Sequence, residues 1–315
     1  MFDTLVEILL ASYNGELFIS EQLESLAEQS YVHWKLIARD DGSSDQTSEY
    51  INGFARQHPG KVSILRDSKG SLGAAGNFAE LLQHSTADYL MFCDQDDVWL
   101  KEKLELSLKR MQELEAAHGK ATPLLVHTDL KVVDRNLAAL SNSFWQHQNL
   151  NPKAGERWNR LLVQNVVTGC TTIINRALRE VAIPIPSAAI MHDWWLALVA
   201  SLLGRVEFID QPTVLYRQHS HNDTGAKKWG ARFILGRLSK TDEVRKSLQK
   251  TQSQASALVQ HLATKSTQID PGIIAVIQGF SGLTAMSPAQ RRAFVLQHGI
   301  LKQGIIRNIG MLVNL

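Results

Sequence analysis

The sequence has 315 residues and only two cysteines, Cys93 and Cys170, far apart and without a metal-type spacing. That excludes a disulfide framework and a zinc module, and reads as two buried thiols in a reducing compartment. No apolar run approaches the ~20 residues that a membrane span requires. The longest, "WWLALVASLL", is ten residues. The opening "MFDTLVEILLASYNG" lacks the basic start of a leader peptide, and its apolar part reads as a strand. Internal repeats and low-complexity tracts are also missing. These absences point to a cytoplasmic-type globular chain, and 44% hydrophobic with 20% charged residues is ordinary for one.

Charge is low overall but unevenly placed. Residues 226–315 hold thirteen Lys or Arg against three acids, so this segment carries +10 and the preceding 225 residues carry −8 of the net +2. A basic extension on an acidic body suits either an anionic partner or a set of solvated helix faces. The sequence therefore divides at about residue 225, into a body of 1–225 and a mainly helical extension of 226–315.

The body alternates short apolar runs with helical patterns. "LVEILLA" (5–11), "WKLIA" (34–38), "VSILR" (62–66) and "DYLMFC" (88–93) read as strands. Between and after them, "ISEQLESLAEQ" (19–29), "SSDQTSEYINGFARQ" (43–57), "GAAGNFAELLQ" (73–83) and "WLKEKLELSLKRMQELEAA" (99–117) read as helices. The second helix carries a capping-box pattern from Ser43 to Gln46. Strand–helix alternation predicts an α/β fold with a mostly parallel central sheet, whose ligand crevice lies outside the carboxyl ends of the strands.

Three polar clusters fall on that edge: "ASYNG" after the first strand, "RDDGSSD" after the second and "CDQDDVW" after the fourth. The last places Asp94, Asp96 and Asp97 within four positions, and their mutual repulsion calls for a positive partner. A calcium helix-loop-helix loop needs alternate ligands, a central Gly and a closing Glu, which are missing. A phosphatase of the haloacid dehalogenase type is expected to carry its Asp pair after the first strand. A divalent cation gripped by one or two carboxylates and completed by substrate phosphates remains, Mg²⁺ or Mn²⁺ by preference, beside a plain acidic turn. Tyr13 offers a stacking face and Asp41 an acceptor for the N3–H of a pyrimidine, although each also fits a packed aromatic or a capping Asp.

The pieces "ASYNGELFISEQLESLAEQSY", "RDDGSSDQT", "GSLGAAGNF", "CDQDDVWLKEKLE", "TGCT", "HDWWLA" and "YRQH" together resemble a family 2 glycosyltransferase of the GT-A fold, from residue 5 to about 220. "DQDDVW", "HDWW" and "YRQH" are similar to the branch containing rhamnosyltransferases of bacterial surface polysaccharides. The resemblance implies a Rossmann-like nucleotide-binding half and roles for particular residues. Tyr13 would stack on the pyrimidine, Asp41 would hydrogen-bond it, and Asp94 would sit near the ribose. Asp96 would ligate the metal, with His219 completing the metal or diphosphate contacts and Arg217 as a cationic neighbour. Gly73 and Asn77 match the loop and helix start beside the donor. Gly169 would let backbone approach the sugar and acceptor, and Asp193 stands where the family places its catalytic base.

The implied reaction is an inverting, metal-dependent transfer from a UDP- or dTDP-sugar to a saccharide hydroxyl, with a lipid-linked acceptor at the cytoplasmic face of a membrane. Asp193 also suits the first turn of the helix "WWLALVASLL", where a negative group is favoured. Of Trp194 and Trp195, at least one is expected in the core. A sugar nucleotidyltransferase would need a Gly-rich basic loop after the first strand, and "ASYNGELF" has one Gly and no Lys or Arg. A non-catalytic nucleotide-sugar-binding module would need no base at Asp193. Nucleic acid is not expected as a partner, since no recognisable motif supports it. The closing segment "GILKQGIIRNIGMLVNL" lines up Ile300, Leu301, Ile305, Ile309 and Leu312 as an apolar stripe, with Lys302 and Arg307 elsewhere on the helix. That pattern suits docking on an anionic membrane surface, or packing on the protein itself.

Overall fold

A computed structural model describes residues 4–219, 241–265 and 268–315. The start of the basic extension, residues 226–240, therefore lies outside the described residues. The body alternates as its sequence pattern requires: β1 (Val6–Ser12), α1 (Ile19–Ala27), β2 (Trp34–Asp40), α2 (Thr47–Gln57), β3 (Val62–Ile64), α3 (Gly73–His84) and β4 (Tyr89–Cys93). A two-residue β5 (Val98–Trp99) leads into α4 (Lys103–His118) and the long β6 (Leu124–Val133). Then come β7 (Ala139–Ser141), α5 (Phe144–Gln148), α6 (Trp158–Leu161), β8 (Ile173–Asn175), α7 (Arg176–Ala182), α8 (His192–Leu203) and β9 (Arg205–Arg217).

One sheet holds all nine described strands, in the order β3-β2-β1-β4-β8-β6-β9-β5, with β7 beside β6. β1 to β4 run parallel, and β6 and β9 share their direction, while β8, β5 and β7 run against their neighbours. The chain steps outward from β1 to β2 and β3, then crosses back to place β4 on the other side of β1. Such a reversal opens a crevice between the carboxyl ends of β1 and β4.

Both faces of the sheet are covered, which explains why β1 reads as a nearly unbroken apolar run. Val6, Ile8 and Leu10 join Ile19, Leu23 and Leu26 of α1, Ile51 and Phe54 of α2, and Leu104, Leu108 and Met111 of α4. Leu9 and Ala11 point the other way, to Phe78 and Leu81 of α3 and to Trp195 and Leu196 of α8. The helical intervals of those residues set which stripe of each helix meets the sheet.

Two local expectations fail. The third strand stops at Ile64. The capping box at Ser43 does not form, because α2 starts at Thr47 and its N-cap, Gln46, makes no side-chain cap bond. Asp45 accepts from the Thr47 N–H instead, at 3.0 Å. Ser43 serves the loop: its hydroxyl donates to Asp40 at 2.6 Å and accepts from the Asn14 N–H at 2.8 Å.

The extension supplies α9 (Thr241–Thr264), α10 (Pro271–Ser281), α11 (Pro288–Gln297) and α12 (Ile305–Val313). Leu248, Leu258, Phe280, Val295, Ile300 and Met311 are buried in the same apolar cluster as Phe78 and Trp195. Several of its cations are structural. Lys265 donates to the carbonyls of Glu180 and Ile183, Arg291 to those of Met286 and Thr284, and Arg292 to that of Leu312. The expected apolar stripe is split. Ile300 is buried ahead of α12, and Leu301 and Leu312 pack inward, whereas Ile305, Ile306, Ile309 and Val313 face outward.

Because body and extension share one core, a cavity in α9 should weaken the whole molecule. Leu258→Ala is expected to cost about 2–5 kcal/mol. Thermal unfolding should remain a single transition at lower temperature. A two-step melt with an unshifted upper transition would show that the extension folds apart from the sheet.

Candidate functional site

The carboxyl ends of β1, β2 and β4 open into a cavity of about 910 Å³. Tyr13, Asp41, Gly73, Asn77, Asp94, Asp96, Gly169 and Asp193 all line it, while Arg217 and His219 are not among its lining residues. The β1 and β4 loops are stitched together by Gln95, which accepts from the Tyr13 N–H at 2.7 Å and donates to the Tyr13 carbonyl at 2.8 Å. Tyr13 itself is 54% exposed, so its ring has a face available for stacking.

Asp41 is buried and heavily used. Its carboxylate accepts from the N–H groups of Leu72 and Gly73, both at 2.8 Å, from the Ser71 hydroxyl at 2.9 Å and from Arg39 at 2.5 Å. Burial alone would raise its pKa, but the bonds from Leu72, Arg39, Ser71 and Gly73 hold it below the usual carboxylate range. Asp41 thereby caps α3 from another strand, since Leu72, at the N-cap, offers no side-chain bond. Gly73 has φ +70°, a conformation that favours glycine and turns its N–H toward Asp41. Arg39 also clamps Asp67, at 2.7 and 3.2 Å, and donates to Asn77 at 3.2 Å. The Arg39 bond is the chief reason the Asp67 pKa falls to about 2. Asn77 in turn donates to the Arg39 carbonyl at 3.2 Å, so it ties α3 to β2 while facing the cavity.

The three acids after β4 have different surroundings. β5 pairs antiparallel with the end of β9, Val98 opposite Leu215 and Trp99 opposite Val214, and so brings "YRQH" beside "DQDD". His219 Nε2 lies 2.8 Å from an Asp96 carboxylate oxygen. Arg217 is fully buried and acts as a strut. Its backbone N–H donates to Asp97 at 3.1 Å, its guanidinium donates to the carbonyls of Asp96 at 2.9 Å and Arg135 at 2.6 Å, and it pairs with Glu21. Asp97 is the buried member, and burial pushes its pKa well above the usual range, aided by the nearby Asp96 and Asp94 charges.

These residues fit a divalent metal. Hard cations take oxygen donors at ~2.1 Å in octahedral sets, whose adjacent ligands are then about 3 Å apart. Asp94 and Asp96 both reach the cavity and would supply carboxylate oxygens, with His219 hydrogen-bonded to Asp96 at 2.8 Å. Asp94, Asp97 and Cys170 also come within 4.8 Å of one another. That trio is the poorer candidate, because a buried thiol is a soft donor and Asp97 is engaged by the Arg217 N–H.

Asp193 lies in the first turn of α8, whose N-cap is Met191. Burial raises its pKa to about 7, against the bonds it accepts from Trp194, Gly169 and Asn165. Gly169 allows a close approach different from the expected one. A Cβ there would stand 2.7 Å from His192 Nε2, so the missing side chain makes room for a protein ring. Trp195 is core and donates to the Ala182 carbonyl at 3.0 Å, while Trp194 lines the cavity.

Sequence reasoning missed several contributors. Gln95 was visible between the acids, and His192 stood inside a quoted motif, but neither drew a role. Asn165 gave no signal. The far wall comes from the extension, with Glu243, Val244 and Ser247 of α9 and Lys302, Ile306 and Arg307 at α12. Among the described residues, no helix is long and apolar enough to cross a membrane.

Known proteins resemble this chain in fold and in sequence. The solved structure of TarS from S. aureus with UDP-GlcNAc superposes with a TM-score of 0.55 at 17% identity, over 98% of this chain and 88% of that one. The mannosyltransferase PcManGT of Pyrobaculum calidifontis, solved with GDP-Man and Mn²⁺, gives 0.53 at 16% identity, over 98% and 78%. These likenesses establish the GT-A fold. In sequence, the chain is 31% identical to the dTDP-rhamnosyl transferase RfbG of Shigella flexneri over 229 residues, 69% of this chain and 74% of that protein. It is 28% identical to the UDP-Glc:alpha-D-GlcNAc-diphosphoundecaprenol beta-1,3-glucosyltransferase WfgD of Escherichia coli over 174 residues, 55% of this chain and 61% of that protein. The Glycosyl transferase family 2 model matches residues 7–181, more than half of the chain and all three strand-end clusters, and the chain belongs to that family.

Proposed function

We propose that this glycosyltransferase moves a sugar from a UDP- or dTDP-sugar to a hydroxyl of a saccharide acceptor, with inversion, in bacterial surface-polysaccharide assembly. The relatives described above support the pathway and the nucleotide classes. The observation that carries the reaction type is one cavity joining the Tyr13–Asp41–Asp94–Asp96 end to a buried Asp193 with raised proton affinity. Residues 1–225 form the catalytic domain in this reading, and residues 226–315 are its extension.

The pyrimidine stacks on Tyr13, and its N3–H reaches Asp41 by displacing the exposed Ser71 hydroxyl. The ribose lies by Asp94. Gly73 and Asn77 shape the loop and helix start beside the donor, and Arg217 fixes the backbone under the diphosphate end. Asp96 and His219 would hold Mg²⁺ or Mn²⁺, which when bound supplies positive charge for the departing diphosphate. The acceptor oxygen attacks the anomeric carbon from the opposite face as the bond to the diphosphate breaks. Asp193 takes the acceptor's proton, and the nucleoside diphosphate leaves with the electron pair. Gly169 and Asn165 orient the Asp193 carboxylate. A pKa of about 7 suits the task, because a general base works best near the ambient pH.

The acceptor is lipid-linked in this proposal, presented at the cytoplasmic face of a membrane. The outward Ile305, Ile306, Ile309 and Val313 of α12 support it, since that helix also borders the cavity through Ile306 and Met311.

Three measurements test this reading. Asp193→Asn should lower kcat by roughly 10²–10⁴-fold and leave nucleotide affinity unchanged. Wild-type kcat/KM should climb with pH through about 7, the value to which burial raises Asp193. The stability sign follows. A carboxyl raised from 3.8 to about 7 stabilises the fold fully below its unfolded pKa and loses that contribution as pH rises through 7. The loss by pH 8 is about 4 kcal/mol. The wild type should therefore lose more melting temperature between pH 5 and 8 than Asp193→Asn does. A variant with near-normal turnover removes Asp193 from the mechanism.

Asp96→Ala and EDTA should each weaken UDP or dTDP binding without unfolding the protein. Unchanged affinity in both experiments would dismiss the metal. Finally, the protein should co-sediment with anionic vesicles at low salt, and Ile305→Ser with Ile309→Ser should reduce it. Equal recovery on neutral and anionic vesicles would sink the membrane reading.

A further inference from the structure

His192 opens α8, one residue before Asp193, and lines the cavity. Its ring centroid lies 4.0 Å from that of Phe78 and 4.7 Å from that of Phe92. The residue is 2% exposed, and neither ring nitrogen has a hydrogen-bond partner among the described residues. Burial drives its pKa down to about 3, so the ring is neutral at any working pH, with one donor and one acceptor nitrogen. A buried imidazole bears the desolvation cost of both nitrogens with no return from the protein. His127 is equally buried and unpartnered, but it packs on Trp145 and Phe208 and does not line the cavity.

Position gives His192 a meaning that His127 lacks. In a displacement with inversion, the transferred sugar ring lies between the leaving diphosphate and the group that takes the acceptor's proton. His192 packs on Phe92 of β4, the strand that leads into Asp94, and immediately precedes Asp193. Its Nε2 edge lies against Gly169, another lining residue, where a Cβ would stand only 2.7 Å away.

We propose that His192 is a specificity-determining residue, its neutral ring hydrogen-bonding a hydroxyl of the transferred sugar from the cavity floor. This rests on the glycosyl-transfer reading above. An apolar wall such as Phe78 cannot tell a hydroxyl from a hydrogen, whereas a buried donor–acceptor ring left unpaired by a deoxy position can.

The test separates the sugar from its nucleotide. Affinities are measured with Mn²⁺ for UDP, dTDP, UDP-glucose, UDP-GlcNAc and dTDP-rhamnose, with melting temperatures alongside. The wild type should bind at least one nucleotide sugar more tightly than its bare nucleotide. His192→Leu, apolar and close in volume, should keep bare-nucleotide affinity and lose that sugar increment by on the order of tenfold. His192→Asn, which retains a donor and an acceptor, should recover part of it, and it carries the test if the Leu variant fails to fold. A sugar increment that survives in both variants overturns the proposal, as does a wild type that gains nothing from any of the three sugars. Wild-type failure to bind even bare UDP or dTDP instead brings down the glycosyl-transfer reading, and this inference with it.

Discussion

Crowding of like charge at the end of β4 is the constraint that shapes the molecule. Asp94, Asp96 and Asp97 follow one buried strand, and the chain answers each differently. Asp97 is withdrawn from water, where burial and its two acidic neighbours favour its protonated form. Asp96 faces His219. Both answers require residues over a hundred positions later, delivered by a thirteen-residue β9 that pairs with β6 along its length and with β5 at its end. Arg217 then locks this corner to α1 through Glu21 and Phe18. The short β5 and the end of β9 together bring Arg217 and His219 to those acids.

A second anchor keeps the opposite edge in place. Arg39 and Asp41 form a buried pair, and such pairs persist only when the remaining hydrogen-bonding groups are also satisfied. Asp67, Asn77 and the Gly70 carbonyl complete Arg39, while Ser71, Leu72 and Gly73 complete Asp41. One carboxylate thus fixes the loop before α3 and presents the site where a base would be read. In the proposed function, recognition and loop order draw on the same atoms.

The legible parts of this architecture were those with local causes. Apolar runs separated by helical intervals predict the parallel half of the sheet, and strand-end polarity locates Tyr13, Asp41, Asp94 and Asp96 on one edge before any coordinates. Ser43 misled because its hydroxyl has two uses. The loop contact with Asp40 won over the helix cap. Arg217 reads as a cation for a ligand, yet the buried corner takes it first. The far wall was illegible for another reason. Whether Ile306 and Met311 face solvent, membrane or a cavity depends on contacts with Phe78's layer, and periodicity along α12 cannot encode its neighbours.

The cavity collects residues from Ala11 to Met311. In the proposed function the donor is held mainly by residues 13–96 with His219, the proton is taken at Asp193, and the outer wall comes after residue 240. During synthesis, domains fold from the N-terminus as they emerge. A chain synthesised through residue 219 therefore carries the residues that the proposed function assigns to the donor before it has the wall supplied after residue 240. A chain cut short before α9 keeps the donor side and leaves the Phe78 and Trp195 layer bare. Such a fragment is an aggregation hazard with a nucleotide pocket, and early nucleotide capture would oppose that hazard by mass action on the part already folded.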